Sequence, residues 1–433
     1  MQQKIFFILL LCSLVPVAFT AAAEDNPVTI VYTGNLDGEL EPCGCSKEGD
    51  LGGIRRRATI LTRLRETYPH LLLVSTGGLL AADYSTDTIK NKYILQGIAQ
   101  MHYDAIAVQP QDLSFGSQLL ADTPLPWVSR YEKAKPFRYS RRIQRNNLHL
   151  HIFSWMSIPP QATGMHAADK QTQILDNTTL LTRMHTAKQQ GDLVILATDS
   201  LLADITKQLK LTDVDILLIK SRHEQFGEPQ KVGHTLVLQP GSRGMRLGLL
   251  RLSLDHTSRI RAFQHEVIPL PPSIPDSPAY AQWYKDYNEE IKQDYLRRVE
   301  LRKASESGVS PYAGAEKCRT CHATAWQVWQ QSRHARAFKS LRRVNKAFDP
   351  NCIGCHVVGF EKPGGYIDDL ITEHLTQVQC ESCHGAAGQH VKSGGTTPVA
   401  QKGRLTEKVC RQCHRGSHSP SFSLEKYWPK VAH

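Results

Sequence analysis

After its first 23 residues the chain has no apolar run long enough to span a bilayer. It also has no low-complexity tract and no long internal repeat. Hydrophobic residues make up 41% of the chain and charged residues 21%, a balance that excludes wholesale disorder. The 433 residues suffice for two or three domains with at least one large core. We therefore expect a folded protein that is soluble or lies against a membrane surface.

The N-terminus has the pattern of a secretory signal peptide. Lys4 precedes an apolar run over residues 5–19, and Thr20 and three alanines follow it. A charged start, an apolar middle and small residues at a cleavage site are typical of such signals. Cys12 lies within this segment. The pattern predicts cleavage after residue 23 and export to the periplasm of a Gram-negative bacterium, with a membrane-peripheral position as the alternative.

Most of the cysteines follow one pattern. Eight of the eleven lie in four copies of Cys-x-x-Cys-His, completed by His322, His356, His384 and His414. The copies contain the pairs Cys318 and Cys321, Cys352 and Cys355, Cys380 and Cys383, and Cys410 and Cys413. Two intervening residues let both sulfurs reach the vinyl groups of one porphyrin, and the adjacent imidazole then ligates its iron. A zinc site or a disulfide would not require a histidine directly after the second cysteine of each motif. The motifs predict four c-type haems and electron transfer.

The same part of the chain limits the second axial ligand of each iron. Residues 311–433 contain no methionine, which excludes His/Met ligation within them. They contain nine histidines, so five remain beyond the four that complete the motifs. Those five are His334, His374, His390, His418 and His433. This is about the number that a set of bis-histidine haems requires.

The preceding part of the chain alternates short apolar runs with helix-like stretches. The runs lie at residues 28–32, 71–74, 105–108, 193–196 and 216–219. Polar residues follow each run, and in α/β folds such loops carry the site. We expect an α/β domain over residues 24–272. A proline-rich break then precedes a linker with a long helix over residues 273–310, and a mostly helical or irregular haem domain occupies residues 311–433.

The C-terminal part resembles the tetrahaem cytochrome c family whose best-known member relays electrons from hydroxylamine oxidation in ammonia-oxidising bacteria. The resemblance covers roughly residues 315–433. It is carried by residues 329–338, 378–385, 419–420 and 427–430. It implies that His334, His390 and His433 are distal iron ligands. His374 and His418 then compete for the fourth haem, unless that haem is five-coordinate.

The N-terminal part resembles the periplasmic 5′-nucleotidase group of calcineurin-like metallophosphoesterases, which implies a two-sheet α/β sandwich. The resemblance is carried by residues 31–38, 52–59, 103–108, 239–244 and 247–248. Most of the family's metal ligands are replaced, and only His223 stands unchanged. The replaced ligands fall at Asn35 and Asp37, Gly78, Gln109 to Asp112, and Asp199. Because two-metal hydrolysis needs several carboxylates and imidazoles, we expect a domain that has lost this activity.

Cys43 and Cys45 lie outside the haem motifs, in the loop after the first predicted strand. They are a candidate redox-active or structural disulfide, or a site for a soft metal.

The net charge of +11 predicts acidic redox partners or a membrane surface, since nucleic acid is a poor partner for an exported protein. We expect an electron carrier for periplasmic or membrane-associated redox proteins. The alternatives are a redox enzyme acting on a small substrate such as a nitrogen oxide, at an open haem or at Cys43 and Cys45, and an active nucleotidase tethered to haems.

Overall fold

The structure is a computed structural model. It describes residues 27–433 except 43–49, 82–86, 133–136, 158–172, 221–225, 256, 306–307, 404, 415–418 and 420. The predicted signal peptide, Cys43, Cys45, His223 and His418 therefore lie outside the described residues.

The N-terminal part is built on two six-stranded sheets. Its strands are β1 (Val28–Thr33), β2 (Leu72–Ser75), β3 (Ala105–Ala107), β4 (Trp127–Val128), β5 (Tyr131–Glu132), β6 (Ser140–Arg145), β7 (Leu148–Trp155), β8 (Gln173–Ile174), β9 (Leu193–Thr198), β10 (Ile216–Leu218), β11 (Gly227–Val232), β12 (Thr235–Gln239), β13 (Arg246–Leu254) and β14 (Ile260–Pro269). The first sheet has the order β14-β13-β1-β2-β3-β4 and the second the order β11-β12-β10-β9-β7-β6, while β5 and β8 form a separate pair. The second sheet has a parallel centre and two antiparallel edges, formed by β11 with β12 and by β6 with β7. The first sheet is parallel from β1 to its edge strand β4, and antiparallel at the other side, where β13 pairs with β1 and β14.

Helices cover the outer faces of these sheets. The longer ones are α1 (Ile54–Thr67), α2 (Asp87–Ala99), α4 (Asn177–Gln189) and α6 (Ala281–Ser305), and shorter ones are α3 (Ser117–Ala121) and α5 (Leu202–Gln208). One apolar cluster fills the space between the two sheets. A second packs α1, α2 and the start of α6 against the first sheet, and a third packs α4 and α5 against the second. The result is a layered α/β sandwich, which confirms the fold predicted from the sequence.

The C-terminal part consists of short helices and turns. They are α7 (Ala323–Gln331), α8 (Ala337–Arg343), α9 (Pro350–Ile353), α10 (Cys380–His384), α11 (Gly388–Lys392), α12 (Glu407–Cys410) and α13 (Leu424–Tyr427). A small apolar cluster around Phe338, Ile353 and Tyr366 joins these segments to the end of α6. Of the helices in the described ranges, none is both long enough and apolar enough to cross a membrane.

The five apolar runs all form strands, and they become β1, β2, β3, β9 and β10. Helix α1 begins at Ile54 and buries Ile54, Ala58 and Leu61, as their helical spacing predicts. The long helix expected between the two parts is α6. It packs on both parts instead of crossing open solvent, because its first half buries Trp283 and Tyr287 and its second half buries Tyr295 and Val299.

Candidate functional site

Each Cys-x-x-Cys-His motif includes a helical turn. Cys318 ends a 3₁₀ turn, Cys352 lies in α9, Cys410 ends α12, and α10 holds the whole third motif. In a helical turn, residues three apart lie on the same side of the backbone. The two thiols of a motif can therefore face one porphyrin. None of these eight cysteines is paired in a disulfide.

Three motif histidines face a histidine from another segment. The ring centroids of His322 and His390 are 6.1 Å apart, those of His334 and His414 6.0 Å, and those of His384 and His433 5.9 Å. A metal–imidazole bond is about 2 Å long, so two imidazoles on opposite sides of one metal ion have ring centres roughly 6 Å apart. The three pairs join motif histidines to the three distal ligands that the tetrahaem resemblance implies, and their spacing fits an iron held between the rings.

Hydrogen bonds at Nδ1 fix the rings of five histidines, which are His356 and four members of the three pairs. His356 donates to the Ala337 carbonyl at 2.7 Å, and His390 donates to the Thr397 carbonyl at 2.7 Å. His384 and His433 make similar bonds to the carbonyls of Gln401 and Val431, both at 2.9 Å. The fifth bond joins His414 to Ser419 Oγ at 2.9 Å. A carbonyl can only accept, so Nδ1 carries the proton and Nε2 is the nitrogen that can ligate iron.

Which residue faces His356 stays a prediction. His356 Nδ1 is held by Ala337, as in the other sites. One of the two candidate partners of His356 is His374, whose side chain is exposed. It lies near Gly314, just before the first motif, where an added Cβ would be 3.3 Å from His374 Cδ2. His418, the other candidate, is outside the described residues.

The motifs lie next to one another in a defined order. The Cys318 thiol hydrogen-bonds to Cys380, which raises the pKa of Cys318 and lowers that of Cys380. Burial, with Cys410 and Cys380 nearby, raises the pKa of Cys383 to about 11. The first motif therefore adjoins the third, and the third adjoins the fourth.

The second motif adjoins the fourth through a distal histidine. Burial lowers the pKa of His334 to about 4, and His414 and His356 add to the lowering. His334 thus faces His414 of the fourth motif while lying within electrostatic reach of His356 of the second. The four motifs follow the order first, third, fourth, second.

The N-terminal domain has its own polar cluster at the carboxyl ends of β1, β2 and β3. Asn35 Nδ2 donates to Gln109 Oε1 at 3.1 Å, and Gln109 Nε2 donates back to Asn35 Oδ1 at 2.9 Å. Gln109 also donates to the Thr76 carbonyl at 2.9 Å. A Cβ added at Gly78 would lie 2.6 Å from Asn35 Nδ2 and 2.8 Å from Gln109 Oε1. Paired amides thus fill the space into which a carboxylate at position 78 would project.

A buried carboxylate holds the loop that contains Gly78. Asp112 accepts backbone N–H bonds from Gly78, Leu79, Leu80 and Gln109 at 2.7 to 3.2 Å. Burial raises the pKa of Asp112 to about 6, although the four N–H groups oppose this shift. Sequence reasoning placed Asp112 only among the altered metal motifs. Its role as a clasp for this loop became apparent only once the fold brought the four N–H groups together.

The remaining residues of the expected metal site are engaged elsewhere. Asp37 accepts from Gln111 Nε2 at 3.3 Å and from the Arg243 backbone N–H at 3.2 Å. Asp199 accepts from the backbone and hydroxyl of Ser157. Among the residues that the structure describes, no group of three or more His, Cys, Asp or Glu side chains is arranged to hold a metal ion. His223, Cys43 and Cys45 fall in ranges that are not described.

Comparison with known proteins supports the cytochrome resemblance. The sequence model of the family described as cytochrome c554 and c-prime matches residues 317–385. Cytochrome c-554 of Nitrosomonas europaea is 35% identical over a region that covers 24% of this chain and 58% of that protein. This chain therefore spans little more than half the length of that relative.

The N-terminal part is similar to phosphoesterases. A 5′-nucleotidase from the venom of Crotalus adamanteus is 26% identical over 24% of this chain and 19% of that enzyme. Among solved structures, a 5′-nucleotidase precursor of Thermus thermophilus has a TM-score of 0.52 at 16% identity, covering 61% of this chain and 59% of that one. The sulfate thiohydrolase SoxB of Thermus thermophilus has a TM-score of 0.52 at 14% identity and covers 62% of this chain and 61% of that one. Both resemblances predicted from the sequence are confirmed, and at these identities the solved structures establish the fold alone.

Proposed function

We propose that this protein is an exported tetrahaem c-type cytochrome that carries electrons between periplasmic redox partners. The observation that carries the proposal is the set of three imidazole pairs spaced 5.9 to 6.1 Å apart. Bound haem supplies a one-electron Fe(III)/Fe(II) couple. Similarity to a cytochrome c-554, and a family match over residues 317–385 that includes the first three motifs, support the same interpretation.

The protein's own residues have separable roles in this proposal. The motif cysteines attach the porphyrins through thioethers, so that the cofactors are retained in an exported protein. The three paired imidazoles would each hold an iron and leave no open position on it for a small molecule. The Nδ1 hydrogen bonds hold five of the histidine rings in place, and where Nδ1 donates they increase the electron donation of Nε2, which favours the ferric form. Bis-histidine ligation therefore predicts low reduction potentials.

The order of the motifs gives the route along which electrons can pass. The thiols or imidazoles of neighbouring motifs lie near enough to shift one another's pKa, from the first motif to the third, fourth and second. The first and second motifs are therefore the two ends of the relay. The net charge of +11 belongs to the polypeptide alone, and the haem propionates would pair with part of the lysine and arginine excess. A basic surface that remains would favour acidic partners, so electron-transfer rates with such a partner are expected to fall as ionic strength rises.

We further propose that the N-terminal domain has lost phosphoesterase activity and serves for docking or ligand binding. The support is the Asn35–Gln109 amide pair, which occupies the space a bridging carboxylate would need beside Gly78. A dinuclear centre requires several anionic or imidazole ligands close together, and neutral amides at these positions bind such ions weakly.

Purified protein from a host that matures c-type cytochromes tests both proposals. We expect four haems per chain in a haemochrome assay, and a mostly low-spin electron paramagnetic resonance spectrum. We also expect no phosphate release from nucleoside monophosphates with manganese or zinc. Fewer haems, or mostly high-spin iron, would contradict the electron-carrier proposal. Metal-dependent phosphate release would contradict the proposal for the N-terminal domain.

A further inference from the structure

One buried lysine joins the two parts of the chain. Lys346 lies between α8 and α9 in the C-terminal part and is only 7% exposed. Its Nζ contacts Glu41 Oε1 at 2.7 Å and Asn288 Oδ1 at 2.7 Å. Glu41 belongs to the loop after β1 and Asn288 to α6. The ammonium group therefore ties together a loop of the sandwich, the shared helix and the haem-binding part.

The surroundings of Lys346 keep its charge. Burial alone would lower its pKa, but Glu41 and Asp349 raise the pKa well above the usual value of a lysine. The group also lies 5.3 Å from the ring centre of Tyr284 and 5.4 Å from that of Tyr287. Electron-rich ring faces attract cations, so these contacts add to the stabilisation of the ammonium. Lys346 is thus a fixed positive charge away from solvent.

This charge is close to one haem attachment site. Asp349 lies 3.6 Å from Lys346 Nζ, and its side chain accepts the backbone N–H of Asn351 at 3.0 Å as the N-cap of α9. Helix α9 carries Cys352. The buried Tyr287 interacts electrostatically with Asp349, Glu41 and Cys352 alike. The cluster therefore adjoins the second motif, which is one end of the proposed relay.

We propose that Lys346 is a positioning residue for the haem bound by Cys352 and Cys355, and that its charge raises the reduction potential of that haem. The proposal rests on the function proposed above. Reduction of ferric haem removes one positive charge from the site. A nearby cation repels the ferric form more than the ferrous form, and burial leaves this repulsion largely unscreened by salt. The end haem beside the N-terminal domain would then accept electrons more readily than an identical haem without the lysine.

Charge variants separate this effect from a structural one. We expect Lys346→Met to lower the midpoint potential of one haem and Glu41→Gln to raise it. The double variant removes one charge of each sign and should return the potential close to that of the unaltered protein. Lys339→Met is the matched control, because Lys339 is exposed on the neighbouring helix α8 and solvent screens its charge. A redox titration of the full holoprotein, followed in the visible spectrum, gives the potentials.

Two results would overturn the proposal. One is a shift in the same direction for both single variants, which would indicate a general disturbance of the haem. The other is a Lys346→Met shift no larger than that of Lys339→Met. Because Lys346→Met removes a buried cation and can impair folding, the nearly isosteric Glu41→Gln tests the sign by itself. The haem content of the unaltered protein and of each variant is measured in parallel. A haem count below four in the unaltered protein contradicts the proposed function, whereas four haems in Glu41→Gln without an upward shift contradict only this inference.

Discussion

Placing an aspartate at position 78 tests directly whether amides have replaced the metal centre. Gly78 has φ +65°, and an added Cβ would lie 2.6 Å from Asn35 Nδ2. Its backbone cannot move away easily, since its N–H is bound by Asp112 and its carbonyl accepts the N–H groups of Leu36 and Asp37. Gly78→Asp should therefore destabilise the domain instead of restoring a metal ligand.

A control separates the two components of this cost. Gly191 has φ +80° and no heavy atom within 4 Å of an added Cβ, so Gly191→Asp bears the backbone strain without a collision. The strain costs about 1 kcal/mol, and overpacking at Gly78 adds about 1–3 kcal/mol, with a further cost for the buried carboxylate. For a domain of this size, each kcal/mol lowers Tm by about 2–4 °C. The Tm decrease of Gly78→Asp should be at least twice that of Gly191→Asp.

Calorimetry on the full holoprotein measures both shifts, and a phosphatase assay with manganese accompanies it. Equal decreases in Tm for the two variants would mean that position 78 has free space, which would refute the steric argument. A gain of metal-dependent phosphate release in Gly78→Asp would refute it more strongly, because it would mean that the remaining ligands of a dinuclear centre are still in place.

Two other changes probe single contacts. His390→Ala removes the ring opposite His322, so one haem should change from low-spin to high-spin and bind carbon monoxide, while the haem content stays the same. His70→Ala, at an exposed site, is the control and should change neither the spin state nor carbon monoxide binding. Unchanged spin states in both variants would contradict the pairing of His390 with His322. Burial alone would raise the pKa of Asp192, but the contact with Arg142 holds this pKa below its usual value. The contact therefore stabilises the fold above about pH 4, and this stabilisation is lost as pH falls through the pKa that Asp192 has in the folded protein. Arg142→Met should lower the free energy of unfolding near neutral pH, by less than loss of a fully buried ion pair would, because the Arg142 side chain is 42% exposed. Urea denaturation measures this loss, and an unchanged free energy of unfolding near neutral pH would contradict the assignment.

The sequence was most informative where chemistry demands a fixed local pattern. The haem motifs depend on short spacings, and the central strands β1, β2, β3, β9 and β10 are buried on both faces and therefore read as continuous apolar runs. Edge strands were harder to identify, because one or both faces are exposed. β6 contains Arg141, Arg142 and Gln144, and β14 alternates exposed and half-buried residues, so neither has an apolar run.

Features that depend on long-range contacts could not be predicted. The Asn35–Gln109 pair joins residues 74 positions apart. The sequence of the replaced motifs indicated that the metal ligands are lost, but it did not indicate which side chains fill the space of those ligands. Lys346 follows Arg342 and Arg343 in the sequence, and a lysine in such a basic stretch is usually exposed. Its burial depends on Glu41, far earlier in the chain, and on α6 lying along both parts of the protein.

The central claim is that the eight motif cysteines hold four haems, three of which would have their irons between paired imidazoles. The most direct measurement is the intact mass of the denatured mature chain, produced in a host that matures c-type cytochromes. The account predicts a mass that exceeds the polypeptide by four covalently bound haems. A mass equal to that of the polypeptide alone, without the intense blue absorption of haem, would contradict it.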